Sequence, residues 1–196
     1  KSQIEVGGSI GELFGRLNRS LHGALDRRTF VCLAMGELDS ASRMFRFSNA
    51  GCPYPYHYRS TTGEVVELQV DAYPLGVRPD TVYRVIEVQL GPGDYLTFCS
   101  DGIIEAKNAA GEMFGFERTT EAIRQGCEEN LSAAALLERV IKEAEVFSGD
   151  VPELEVVPVL FFPRWFAHFA QFFSLLGLGS VPAPLRVSAA AIAAKY

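Results

Sequence analysis

Short turns join a series of apolar segments in the first half of the chain, and this pattern constrains the fold more than any other feature. A connection of a few residues can join only antiparallel neighbours, because a parallel pair needs a crossover of a dozen or more residues. The segment 29–38 is apolar at nearly every position, so we expect this strand to be buried on both faces. Cys32 in this segment and Cys99 in the apolar segment 95–99 are expected to be small core residues. The predicted strands are 29–38, 44–48, 54–59, 64–70, 84–90 and 95–99.

Helical patterns flank this run of strands. Ser9 and Glu12 form a capping-box pattern before an apolar stripe, and Ser132 and Gly149 are a plausible start and stop for the last of two later helices. A weak terminal strand is predicted at 154–162. Clustered strands with segregated helices define an α+β fold in which helices cover the sheet faces.

Composition and charge narrow the class of protein. The 196 residues include 48% hydrophobic and 21% charged residues, which suits a globular domain. The net charge is −6 and no basic run occurs, so a nucleic-acid surface is not expected. The four cysteines lack the spacing of a zinc site, which favours a reducing, cytoplasmic setting.

Asp101 and Gly102 stand directly after the apolar strand 95–99. A carboxylate is thereby held at the end of a rigid strand, beside the residue whose backbone allows the closest approach of a ligand. This arrangement suits metal binding. An Asp-Gly pair after a strand is, by itself, more often only a turn.

Several elements in order resemble one enzyme family, the PPM-type metal-dependent serine/threonine protein phosphatases, in their bacterial SpoIIE-like (RsbU-like) branch. The resemblance covers residues from about 9 to about 149. Its motifs are Asn49-Ala50-Gly51 with Pro53, Pro74-Leu75-Gly76, Pro92-Gly93-Asp94, Ser100-Asp101-Gly102-Ile103 with Glu105-Ala106, and Gly111-Glu112 with Phe114-Gly115.

The resemblance implies an α-β-β-α sandwich of two antiparallel sheets between helix layers. It implies two Mn²⁺ or Mg²⁺ ions and a metal-bridging water that attacks the phosphorus of a phosphoserine or phosphothreonine. Asp101 matches a metal-binding aspartate and Gly102 the glycine beside it that binds through its backbone. Glu105 matches a position whose role is either structural or to support the metal ligands. The implied partner is a phosphorylated regulatory protein of the anti-anti-sigma-factor type, and the implied context is the output domain of a longer sensor protein.

Two departures from the family pattern bear on activity. The motif G-D-V-S-G-H-G would precede Lys1, and the motif D-D-[IM]-T is not matched after the last helix, where Glu153 and Glu155 are imperfect substitutes. Cys52 replaces a histidine of the family, a milder change. One of three carboxylate motifs remains, so we expect this chain to have little or no activity; the alternative is a non-catalytic pseudophosphatase that binds a regulatory partner.

Composition changes near the end of the chain. All 24 acidic residues lie in the first 155 positions, whereas six of the 14 phenylalanines lie between Phe161 and Phe173. We therefore divide the chain into a partial phosphatase domain, 1–157, and an atypical apolar tail, 158–196. The run 165–179 is too short to span a membrane, which leaves an interfacial helix, a segment packed on the domain, or a translation artefact such as a shifted reading frame.

Two other polar residues have competing interpretations. His57 could act as a general acid, but a packed strand residue is the commoner case. Asp94 could pair with Asp101, but the sequence before it favours the fourth position of a turn that begins at Gly91.

Overall fold

The computed structural model describes residues 8–26 and 29–149 and the backbone of residues 191–195. Within these ranges the chain forms four helices and seven strands. They follow in the order α1 (Ile10–Ala24), β1 (Leu33–Asp39), β2 (Met44–Ala50), β3 (Tyr56–Arg59), β4 (Glu64–Glu67), β5 (Ile86–Gln89), β6 (Tyr95–Cys99), α2 (Asp101–Ile104), α3 (Gly115–Glu128), α4 (Ala133–Ser148) and β7 (Ala191–Lys195).

The strands form two antiparallel sheets. The first sheet has the order β1-β2-β5 and the second has the order β4-β3-β6-β7. In the first sheet Leu33 pairs with Ala50, and in the second sheet Tyr56 pairs with Thr97. The predicted α+β class and the sandwich of two antiparallel sheets are confirmed.

Three apolar layers hold the sandwich together. The layer between α1 and the first sheet contains Phe14, Leu17, Ala50, Leu75 and Tyr83. The layer between the sheets is built around Phe45, Phe47, Leu68, Val70, Leu90 and Leu96. The third layer lies between the second sheet and helices α3 and α4, and its buried members include Tyr56, Tyr95, Ile103, Ile123, Leu136 and Val140.

Strand β6 contributes to two of these layers, as its sequence predicts. Leu96 and Phe98 belong to the layer between the sheets, and Tyr95 and Cys99 belong to the layer under the helices. Successive side chains of a strand point to opposite faces, so a continuous apolar run fits a strand covered on both sides. The segment that leads to Asp101 is therefore held rigidly in the core.

The prediction that the first strand is buried on both faces is wrong. No residue of β1 is buried below 9% exposure, and Cys32 is exposed, whereas Cys99 is buried. The physical reason is position: β1 pairs with β2 on one side and is the edge of its sheet in the described part of the chain. At Gly36 the Phe45 ring packs directly on the backbone of β1, because a Cβ at this position would lie 2.3 Å from the ring.

Helix boundaries follow local signals. Ser9 and Glu12 form the predicted capping box of α1, and the Ser132 side chain caps α4, which ends before Gly149. The short helix α2 was not predicted, because a four-residue helix carries no periodic signal. None of the helices in the ranges 8–26 and 29–149 is long and apolar enough to cross a membrane.

The strand predicted at 154–162 and most of the tail 158–196 lie outside the described residues. The strand β7 was not predicted. It pairs antiparallel with β6, with Tyr95 opposite Lys195 at one end and Cys99 opposite Ala191 at the other.

Candidate metal centre

Asp101 stands where β6 ends and α2 begins. The Ile103 amide donates to the Ser100 carbonyl at 3.1 Å and the Glu105 amide donates to the Asp101 carbonyl at 2.8 Å, which turns the chain sharply after the strand. Ile103 and Ile104 are 0% and 6% exposed and hold the turn in the core. Asp101 itself is left at the surface.

The Asn49 element forms a closed turn next to this point. The buried Asn49 side chain donates from Nδ2 to the Cys52 carbonyl at 2.8 Å, and its Oδ1 accepts from the Cys52 amide at 3.1 Å. Gly51 has φ +82, and a Cβ there would lie 2.5 Å from Cγ of Pro74. Glycine is required at this position by both the backbone conformation and the close packing.

Contact between Gly51 and Pro74 joins two elements that are 23 positions apart in the sequence. Leu75 and Val31 exchange backbone hydrogen bonds at 2.8 and 3.0 Å, and the Gly76 amide donates to Oδ1 of the buried Asn18 at 2.8 Å. Helix α1 is thereby attached to the loop that supports the Asn49 turn. Sequence reasoning missed this role of Asn18, since a polar residue on the apolar face of a helix carries no partner information.

Asp101 is close enough to the Asn49 turn for its charge to act on the Cys52 thiol. Burial raises the pKa of the Cys52 thiol to about 12, with smaller contributions from the charges of Cys32 and Asp101. Burial and then the charge of Glu105 raise the pKa of Asp101. Cys52 is thus a neutral thiol at neutral pH, and Asp101 is a carboxylate without a compensating cation among its described neighbours.

A two-ion site needs several oxygen ligands, because hard divalent cations prefer carboxylates and carbonyls. Among the residues described, no three His, Cys, Asp or Glu side chains lie close enough to hold a metal ion. Asp101 and Glu105, four positions later, supply only two carboxylates to such a set. Ser100 adds a buried Oγ that has no hydrogen-bond partner among the described residues. Glu153 and Glu155 lie outside the described residues. The metal roles of Asp101 and Gly102 and the supporting role of Glu105 remain predictions.

Asp94 lies at the other end of β6, about 20 Å from Asp101 at the usual rise per residue. Its amide donates to the Gly91 carbonyl at 3.2 Å and its carboxylate accepts from the Gly91 amide at 2.8 Å, which confirms the turn. Its Oδ2 also lies 2.8 Å from Nε2 of His57, a buried strand residue. No local signal predicts this pair, which joins residues 37 positions apart.

The layered sandwich has the fold of solved PP2C phosphatase domains. It is similar to the SiaA PP2C domain of Pseudomonas aeruginosa (TM-score 0.65, 24% identity, 76% of this chain and 59% of that one). It is also similar to the PP2C phosphatase domain of Bacillus subtilis SpoIIE (TM-score 0.60, 17% identity, 74% and 41%). The RsbU and RsbW domains of a Mycobacterium tuberculosis protein match at TM-score 0.62 and 20% identity, over 75% of this chain and 40% of that one.

The family model for stage II sporulation protein E (SpoIIE) matches residues 1–153. The chain therefore belongs to the SpoIIE family. Protein IcfG of Synechocystis is 25% identical over 122 residues, which are 62% of this chain and 18% of IcfG. The chain thus spans less than a fifth of that curated relative and 40 to 59% of the solved structures named above.

Proposed function

We propose that the chain is part of a bacterial metal-dependent phosphoserine and phosphothreonine phosphatase domain. In this proposal it acts in the cytoplasm on a phosphorylated regulatory protein of the anti-anti-sigma-factor type and uses Mn²⁺ or Mg²⁺. The observation that carries the proposal is Asp101 at the end of a buried strand, beside the Asn49 turn, in a domain of the SpoIIE family. The four free cysteines agree with a reducing compartment.

Asp101 is the ligand that we assign to this domain. A divalent cation there would supply a nucleophilic water of lowered pKa and offset charge on the phosphoryl oxygens. Burial and then the charge of Glu105 raise the pKa of Asp101, and a bound cation would act in the opposite direction by favouring the ionised carboxylate. Because the described residues do not complete a ligand set, we assign no catalytic step to this chain alone.

The test compares the product of the complete gene with its Asp101→Asn variant. Hydrolysis of a phosphoserine protein is measured with Mn²⁺ and with EDTA. We expect Mn²⁺-dependent release of phosphate from the native protein and at least about 100-fold less from the variant. Equal, EDTA-resistant rates in the two proteins would rule out this site as the source of activity.

A pseudophosphatase is the second candidate, favoured because the described residues contain no group of three side chains that could hold a metal ion. It predicts that the complete gene product binds the phosphorylated partner without hydrolysing it, in Mn²⁺ and in EDTA alike. Binding measured by calorimetry, with phosphate release measured in the same samples, separates the two candidates.

A further inference from the structure

A polar cleft of about 510 Å³ opens at the end of the sandwich opposite Asp101. It lies where the β1–β2 turn, the end of β3 and the Gly91 turn meet. This volume is in the range of ligand sites in proteins. The residues that matter for its chemistry are Ser42, Arg43, His57, Arg59, Thr61 and Asp94.

The floor of this cleft is the buried pair of His57 and Asp94. Their side chains are 3% and 6% exposed, and Nε2 of His57 lies 2.8 Å from Oδ2 of Asp94. The Asp94 carboxylate also accepts from the Gly91 amide at 2.8 Å and from the Ser60 amide and hydroxyl at 2.9 and 3.1 Å. Four donors therefore stabilise its negative charge within the floor, while Nδ1 of His57 is buried without a partner in the described part of the chain.

Arg59 forms one wall above this floor. It follows His57 by two positions in β3, so both side chains lie on the same face of the strand. Its Nη1 lies 3.5 Å from Oε2 of Glu64, and both side chains are about half exposed. A long, exposed ion pair of this kind is weak, so the guanidinium can turn to an incoming anion.

Arg43 lines the cleft from the β1–β2 turn of the first sheet, whereas Arg59 lies in the second sheet, and the Arg43 backbone is unusual. Its φ is +58, in the left-handed region that glycine adopts most readily. Its carbonyl accepts from the Leu90 amide at 3.0 Å, which holds this conformation against the β5 end of the cleft. No carboxylate of the described residues pairs with its guanidinium. Arg43 thus occupies a backbone position at which glycine would be less strained.

We infer that this cleft binds a small phosphate-type oxoanion between Arg43 and Arg59. Guanidinium groups present planar forks of donors that match phosphate oxygens, and the hydroxyls of Ser42 and Thr61 add neutral donors at the same opening. The carboxylate of Asp39 in the adjacent turn already accepts from the Ala41 and Ser42 amides. The cleft thus carries two guanidiniums against one buried carboxylate, Asp94, which already accepts from four donors.

The experiment is a titration of the 196-residue chain with inorganic phosphate, followed by amide NMR shifts at constant ionic strength in chloride buffer with EDTA. Saturable shifts are expected at the amides of Arg43, Thr61 and Gly91. They are expected to persist in Asp101→Asn, which separates this site from the proposed phosphatase centre.

Arg43→Gly is the decisive variant. It should weaken phosphate binding about tenfold or more, while its thermal midpoint stays equal to or above that of the native chain, because glycine relieves the left-handed backbone. Arg59→Gln should weaken phosphate binding to a similar extent, because it removes the second guanidinium of the cleft, on β3. Glu64→Gln should tighten binding, since it removes the carboxylate that competes for Arg59.

Arg46→Gln is the matched control. It removes one arginine of the same hairpin, which pairs with Glu87 and does not line the cleft. Unchanged phosphate binding in this control, with loss in Arg43→Gly, supports the inference. Equal binding by Arg43→Gly and Arg46→Gln, shifts confined to the Asp101 end, or no saturable shift in the native chain each overturn it.

Discussion

Asp94 is a buried carboxyl whose ionisation bears on the stability of the described structure. Burial acts to raise the pKa of its carboxyl, but hydrogen bonds from the Gly91 and Ser60 amides, from His57 and from the Ser60 hydroxyl outweigh burial, and the pKa is lowered from 3.8. A carboxyl with a depressed folded-state pKa stabilises the fold above its unfolded pKa. This contribution is lost as the pH falls through the folded-state value.

Replacement of Asp94 by asparagine should therefore be costly at neutral pH. We expect Asp94→Asn to lower the free energy of unfolding by about 3 kcal/mol at pH 7, because it removes one partner of a buried hydrogen-bonded pair. Below pH 3.8 the native chain loses the same contribution and the gap should narrow. Urea unfolding followed by circular dichroism at pH 7, 4 and 3 measures this.

Glu87→Gln is the control for this prediction, since the Arg46–Glu87 pair is exposed and should cost less than about 1 kcal/mol. A gap between Asp94→Asn and the native chain that stays constant down to pH 3 would contradict the assigned role of the carboxylate.

Ionisation of Asp101 should have the opposite effect on the stability of the fold. Burial and then Glu105 raise the pKa of this carboxyl, so its ionised form opposes folding above the unfolded pKa. Asp101→Asn is expected to raise the free energy of unfolding at pH 7 by up to about 1 kcal/mol, a small value because solvent screens an exposed group. Chemical unfolding with and without EDTA tests this, and a clear loss of stability in the variant would argue against an uncompensated carboxylate.

Helix α1 packs closely against the backbone at Tyr83. A Cβ at Gly11 would lie 2.5 Å from the carbonyl oxygen of Tyr83, a backbone atom that cannot rotate away. We expect Gly11→Ala to lower the free energy of unfolding by about 1 to 3 kcal/mol through overpacking.

Gly15 supplies the matched control in the same helix. The only atom near a Cβ there is the flexible end of Arg19, at 3.5 Å. Gly15→Ala should therefore raise the free energy of unfolding by about 0.5 to 1 kcal/mol through better helix propensity. Thermal melts of both variants test the predicted packing of α1. Equal shifts of the melting temperature with the same sign would show that α1 does not pack as described.

Prediction of the elements from sequence succeeded where the signal was local. The strand from Tyr95 to Cys99 was predicted at its observed bounds, and the caps at Ser9 and Ser132 were confirmed. The burial of β1 was predicted wrongly, because an apolar run does not show whether a strand lies at the edge or the centre of a sheet.

At the scale of the whole molecule, the expected activity depends on how many metal ligands the chain supplies, and the residues described in the ranges 8–26 and 29–149 contain no group of three. We predict that the 196-residue chain hydrolyses p-nitrophenyl phosphate no faster with Mn²⁺ than with EDTA, because a single aspartate does not hold two divalent ions against water. Colorimetric assays of the native chain and Asp101→Asn should give the same background. Mn²⁺-dependent turnover abolished by that substitution would show that the ligand set is complete after all.

By itself the sequence determined the α+β class, the antiparallel pairing, the strand that ends at Asp101 and the family, because short turns, apolar runs and ordered motifs are local in the chain. Only the tertiary structure decided which distant residues meet. It set Gly51 against Pro74, joined His57 to Asp94, and placed Arg43 and Arg59 on one cleft. The physical reason is that packing of the two sheets, not sequence spacing, sets which turns share an end of the sandwich. Asp101 thus remains the predicted metal ligand, and the Asp94 end of the same strand has become a second site to test.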